Sequence, residues 1–256
     1  MLRALRRLTT AALLIAAGAA EAADRNRLWP VVRTCVSAYR LLGVSFPCLK
    51  VELPGGDPNL GVAVLRPLRR DDLILSPTRQ TVGIEDPFLQ SDKAPNYFAA
   101  AWRARAFLKG PDGEPPPRDD VVLVVNARSA RSQDQLHIHI GCLPPEARRF
   151  LAEAARTMPL GVWTRVGAVL PHEVYFGERV REAEFARLNP FRLAAQGFAG
   201  AADHPDRLMV MTVGARVRGE DDFLILAFFE GVRGELRHSG AEALLDRRCT
   251  APSPLG

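Results

Sequence analysis

Lysine is almost missing from this chain. Lys50, Lys93 and Lys109 are the only three, so the net charge of +5 is carried by arginine. The arginines are scattered, with no basic tail and no basic patch interleaved with aromatics. That excludes the usual footprint of a nucleic-acid binder, and no nucleic-acid partner is expected. The four cysteines contain no C-x-x-C pair, which removes the common thiolate zinc sites. No internal repeat is visible, and the apolar segment at residues 8–20 is too short for a comfortable membrane span.

What remains is an ordinary globular composition, 47% hydrophobic and 25% charged in 256 residues, enough to bury a proper core. The start of the chain departs from it. Arg3, Arg6 and Arg7 precede the apolar segment, and Ala20-Glu21-Ala22 follows as a small-x-small site. Residues 1–22 therefore read as a bacterial secretory signal, or as the same segment kept as an N-terminal anchor, with residues 23–256 as the working domain. Export predicts the periplasm or the periplasmic face of the inner membrane. An oxidising compartment suits an even count of cysteines: Cys35, Cys48, Cys142 and Cys249. Three pairings are possible; proximity favours Cys35–Cys48, which leaves Cys142–Cys249.

Apolar residues recur at helical spacing over 28–42, behind Trp29-Pro30, and predict a first helix. Strands follow at 48–53, 61–65 and 72–76, the last two in hairpin spacing across the basic bend at 66–70. A long loop, 77–95, leads to an alanine-rich helix at 96–108 with Phe98 and Trp102 on its core side. Two strands come next, an apolar one at 121–125 and one carrying His137 and His139. A helix at 147–157 opens behind Pro144-Pro145, and 162–170 reads as either strand or turn. A short helix at 182–188 stops at Asn189-Pro190, a hairpin joins 208–217 to 223–229 around a turn at 218–222, and a final helix spans 241–248. Hairpins with helices between them predict an α+β fold around a mostly antiparallel sheet.

The stretch with chemistry in it is residues 121–143, VVLVVNARSARSQDQLHIHIGCL. On an extended strand side chains alternate, so His137 and His139 share one face while Leu136, Ile138 and Ile140 share the other. A neutral imidazole can attack phosphorus near pH 7, and a second can contact a non-bridging oxygen. The adjoining loop offers Asn126, Arg128, Arg131, Ser132 and Gln133, with the two arginines suited to a diphosphate. Two other readings compete. The histidines can be polar residues on a solvent face, or zinc ligands, since H-x-H on a strand suits zinc. Zinc lacks an obvious third ligand: Glu146 is placed to open a helix, and Asp134 falls on the other strand face. No metal and no cofactor are expected.

These residues carry a resemblance. RSQDQLHIHIGC (131–142) is similar to the histidine-triad motif, with Gln135 where the first histidine usually stands. The likeness extends to the CDP-diacylglycerol pyrophosphatase branch of that superfamily and covers most of the chain after the leader. It includes Cys35, Cys48, the loop at 78–89, PNYFAAAWRAR (95–105), NARSARSQDQLHIHIGC (126–142), HEVYFGERV (172–180), NPF (189–191) and Cys249. The resemblance implies an antiparallel sheet with flanking helices, and cleavage of CDP-diacylglycerol to CMP and phosphatidate without a metal. It assigns His137 as the nucleophile that forms a nucleotidyl-histidine. His139 becomes the contact to phosphate oxygens and helper of the leaving group. Ser132 and Gln133 become phosphate-binding positions, Asn126 a nucleotide contact, Gln135 a supporting hydrogen-bonding residue and His172 a substrate contact or acid. A membrane surface is implied as the place of work. A soluble nucleotide substrate and a non-catalytic exported binding protein are the alternatives.

Overall fold

A computed structural model describes residues 24–68, 71–167, 174–229 and 241–250. The leader segment, His172 and His238 lie outside the described residues. Nine strands among the described residues form one antiparallel sheet: β1 (Lys50–Glu52), β2 (Val62–Leu65), β3 (Leu73–Pro77), β4 (Val121–Val125), β5 (Ile138–Cys142), β6 (Thr164–Gly167), β7 (Tyr175–Arg181), β8 (Leu208–Val217) and β9 (Glu220–Phe229). Their order across the sheet is β1-β2-β3-β5-β4-β8-β9-β7-β6, and every named pairing is antiparallel. The α+β expectation is met, and β5 lies near the middle. The helices are α1 (Leu28–Leu42), α2 (Tyr97–Ala104), α3 (Pro145–Thr157), α4 (Glu182–Phe185) and α5 (Pro190–Gly197).

One face of the sheet is covered from β2 to β7. Leu75, Leu123, Ile138, Ile140, Val210 and Ile225 pack there against Phe98 and Trp102 of α2, Phe185 of α4 and Phe191 of α5. Phe98 and Trp102 are thus core, as expected. The opposite face is covered in two separate patches. Over β1–β3, α1 buries Leu28, Val32 and Cys35 against Ala63, Leu65 and Ile74. Over β4, β8 and β9, α3 buries Ala147, Leu151 and Ala155 against Val124, Met211 and Leu226. Between the two patches runs β5, whose residues on this face are His139 and Gly141, with His137 immediately before the strand.

Four local expectations differ from the structure. The helix expected at 182–188 stops at Phe185, and Asn189-Pro190 starts a helix instead of ending one: the Asn189 side chain accepts from the backbone N–H of Phe191 and Arg192, and Pro190 takes the first helical position, where its missing N–H costs nothing. The β8–β9 turn is two residues long, because Arg218 (φ 54°) and Gly219 (φ 87°) both adopt the left-handed conformation that a tight hairpin turn requires. Residues 175–181, unassigned from the sequence, form β7, and 164–167 settle as β6. The final helix is only a 3-10 turn, Ala241–Leu244, because the chain then straightens to exchange two backbone hydrogen bonds between Asp246 and Cys142. The disulfides are Cys35–Cys48 and Cys142–Cys249, the pairing that proximity favoured.

Candidate active site

The histidine pair lies recessed between the α1 and α3 patches. His139 stands opposite Ile74 of β3 and Val124 of β4, so it belongs to the face those residues line. His137 is 6% exposed and His139 3%, and their rings meet edge-on with centroids 4.9 Å apart. The alternation expected from the sequence holds here: Leu136, Ile138 and Ile140 sit in the opposite core.

Each ring is oriented by an acceptor. Nδ1 of His137 is 2.7 Å from the Gln135 carbonyl oxygen. A carbonyl can only accept, so Nδ1 carries the proton, and in the neutral ring Nε2 holds the lone pair. Nδ1 of His139 is 3.3 Å from Oδ2 of Asp72, a carboxylate with no exposed surface. That contact likewise makes Nδ1 of His139 the protonated nitrogen, whatever the charge of the ring. Behind Asp72, Nε of Arg247 lies 4.0 Å from Oδ1. Asp72 and Arg247 were not singled out from the sequence. A pair of aspartates, Asp71 and Asp72, ahead of an apolar strand (DDLILSP) was the available signal for Asp72, whereas Arg247 is 175 residues away in the chain and nothing local marks it.

Gln135 replaces a histidine of the triad pattern, and the structure shows what its amide holds. Its Nε2 donates to Oγ of Ser76 and to the carbonyls of Pro77 and Arg79, and its Oε1 accepts from the N–H of Thr81. The side chain is fully buried, and these bonds go to the protein. They pin Gln135 to the end of β3 and so fix the carbonyl that orients His137.

The loop between β4 and β5 is braced from two sides. Asn126, one residue beyond β4, is buried and by alternation continues the face that carries the histidines. Gln133 Oε1 accepts from the N–H of Leu28, so α1 begins against this loop. Ser132 is exposed, and its carbonyl accepts from Gln133 Nε2. Asp134 does not point to a strand face; it receives Arg25 at 2.9 Å and Arg131 at 2.9 Å. The Arg25 hydrogen bond, with Arg131 adding to it, holds the Asp134 carboxyl below its ordinary pKa. Arg131 is almost buried and also meets Glu85 at 2.6 Å. Burial pulls its pKa down, but hydrogen bonds and charge from Glu85 and Asp134 outweigh that and leave it raised. Its guanidinium lies over Gly83, where any Cβ would collide with it. Arg131 is therefore charge-matched by Asp134 of its own loop and by Glu85, whereas Arg128 is exposed; both line an adjoining cleft of about 820 Å³ with Arg25, Glu85, Asp134 and Arg207.

Gly141 marks the other end of the recess. A Cβ there would come within 3.0 Å of Leu245 and 3.9 Å of the Asp72 Cβ, so glycine lets the C-terminal segment lie close across this end. Among the described residues, no group of three histidine, cysteine, aspartate or glutamate side chains is arranged to hold a metal ion. Also among the described residues, no helix is long and apolar enough to cross a membrane.

Two buried imidazoles, each with an acceptor at Nδ1 and one backed by a carboxylate, stand at β5 in a mostly antiparallel α+β sheet. Comparison with known proteins names the family. The profile of CDP-diacylglycerol pyrophosphatase matches residues 23–253, and the chain belongs to that family. A CDP-diacylglycerol pyrophosphatase of Yersinia pestis is 33% identical over 231 residues, covering 88% of this chain and 84% of the relative.

Proposed function

We propose that this chain hydrolyses the pyrophosphate of CDP-diacylglycerol to CMP and phosphatidate, with His137 as the nucleophile. Family membership supports the reaction. The observation that carries the mechanism is the Nδ1 contact to the Gln135 carbonyl, which leaves Nε2 of His137 to attack. Nε2 bonds to the CMP phosphorus as the bond from that phosphorus to the bridging oxygen breaks. Phosphatidate leaves with the electron pair of the broken bond and takes a proton from Nε2 of protonated His139. Positive charge developing on His137 is met by its Nδ1–H bond to the carbonyl, and Asp72 does the same for His139. Water then attacks the phosphorus, the P–N bond breaks, CMP departs and His137 returns to its starting form. The proton released from water goes back to His139. Arg128 and Ser132, exposed polar members of the loop along with Ser129, are the side chains assigned here to the phosphates. The leader-like start and two disulfides support an exported enzyme that works at the outer face of a bacterial inner membrane.

The test is release of CMP from CDP-diacylglycerol by the full chain and by His137→Ala, with the cytidylate radiolabelled. The variant should lose about 10²-fold or more. Quenched turnover of the parent chain should yield base-stable, acid-labile label on His137. Brisk hydrolysis by the alanine variant would refute the assignment. A preference for CDP-choline over the lipid would instead point to a soluble substrate.

A further inference from the structure

We propose that the disulfide-stapled loop after α1, together with the tip of the β2–β3 turn, is a docking surface for an anionic phospholipid bilayer. The stripe of α1 that faces the sheet runs through residues 28, 32, 35, 39 and 42. Its first three members are buried, yet Tyr39 is 37% exposed and Leu42 73%. The last turn of the helix thus overhangs the sheet it packs on. Gly43 then takes the left-handed conformation (φ 71°), and its N–H caps Tyr39 at 3.0 Å. The chain turns back toward β1 and is tied to the helix by Cys35–Cys48, with Cα atoms 5.7 Å apart.

What the staple presents is apolar. Leu41 is 81% exposed and Phe46 78%, with Val44 and Leu49 exposed beside them. The Leu49 N–H donates to the Val64 carbonyl at 2.8 Å, which sets the loop beside the end of β2. The turn leaving that end carries Leu68, 94% exposed. Single exposed leucines are ordinary, but a run of large apolar side chains held out by a cross-link is not.

The charge around this surface selects the occupant. At the loop end of α1, Arg40 is exposed, and Lys50 follows the staple, where it also meets Glu52. Leu68 is flanked in sequence by Arg66, Arg69 and Arg70. Exposed apolar residues with arginines beside them in the sequence match the interface of an anionic bilayer, where aliphatic groups enter the acyl boundary and arginines meet the headgroup phosphates. The surface also borders the recess. Asp72, which meets His139, follows Leu68 by four residues and precedes β3 at this same end of the sheet. A lipid-linked diphosphate held in the bilayer would reach the histidines from here; that last step rests on the function proposed above, whereas the docking does not.

The experiment uses the full chain carrying Phe46→Trp, mixed with vesicles of phosphatidylglycerol and brominated phosphatidylcholine. Emission added by the new tryptophan should shift to the blue and be quenched by the bromines, while the parent chain, with Phe46, shows only the background of its native tryptophans. Leu42→Asp with Phe46→Asp should weaken vesicle binding by about tenfold or more. The same double variant should lose CMP release from substrate in vesicles but keep it within about twofold in detergent micelles, where no bilayer has to be entered. Absence of quenching at position 46 would overturn the proposal. So would a tryptophan at 46 already shielded without vesicles, as a second copy or the chain's own N-terminal segment covering the loop would make it. A parent chain that releases no CMP from either form of substrate would fail the proposed function and leave the quenching to judge the docking.

Discussion

Removal of the Cys142–Cys249 cross-link tests how far the C-terminal segment is part of the fold. In the chain-entropy account, a bridge stabilises by shrinking the unfolded ensemble, and more so the longer the loop it closes. A sequence separation of 107 residues corresponds to about 4.8 kcal/mol, whereas the 13 residues between Cys35 and Cys48 correspond to about 2.9 kcal/mol. Against a typical domain stability of about 5–15 kcal/mol, the longer bridge is a large share. Alanine is the replacement to use, since all four cysteines are buried and serine would bury a hydroxyl. Equilibrium urea unfolding of the two double-alanine variants should therefore show the Cys142/Cys249 variant less stable by about 2 kcal/mol, the difference between the two loop terms. Limited proteolysis of that variant should cut first in residues 244–250, where the cross-link and the Cys142–Asp246 backbone pair hold the segment to β5. The reasoning fails if the Cys142/Cys249 variant proves no less stable than the Cys35/Cys48 variant.

Two further outcomes follow from the site. Asp72→Asn removes the carboxylate that receives Nδ1 of His139; CMP release should fall by roughly 10²-fold and the pH–rate profile should shift, whereas an unchanged profile would mean that Asp72 only fills space. Asp134 supplies a pH limb. Its folded pKa is depressed by Arg25 and Arg131, so its stabilisation is complete above the unfolded value near 3.9 and is lost as pH falls through the folded value. Asp134→Asn should flatten the stability profile below about pH 4, and an identical acid limb in the variant would exclude the clamp.

Much of the fold was legible from periodicity. Helical spacing delimited Leu28–Leu42, and the VVLVV run delimited β4, because a buried stripe or a doubly buried strand leaves a pattern that needs no partner to be read. The turn expected at 218–222 shortens to 218–219, since Arg218 has no sequence mark of a left-handed residue; only the twist of the paired β8 and β9 demands it. At 189–190 the two residues expected to stop a helix start one, α4 having ended at Phe185, and the choice depends on where Phe191 finds its core.

The alternation of HIHI set both imidazoles on one face, and the motif around them named a family. Those are properties of neighbouring residues, and sequence alone carries them. Which face stays open, what orients each ring and where the chain is clamped are questions about residues far apart. Asp72 reaches His139 because β3 pairs with β5, Arg247 reaches Asp72 because Cys249 is bonded to Cys142, and Arg25 reaches Asp134 because α1 begins on the motif loop. Only tertiary packing brings such groups within a few ångströms of one another.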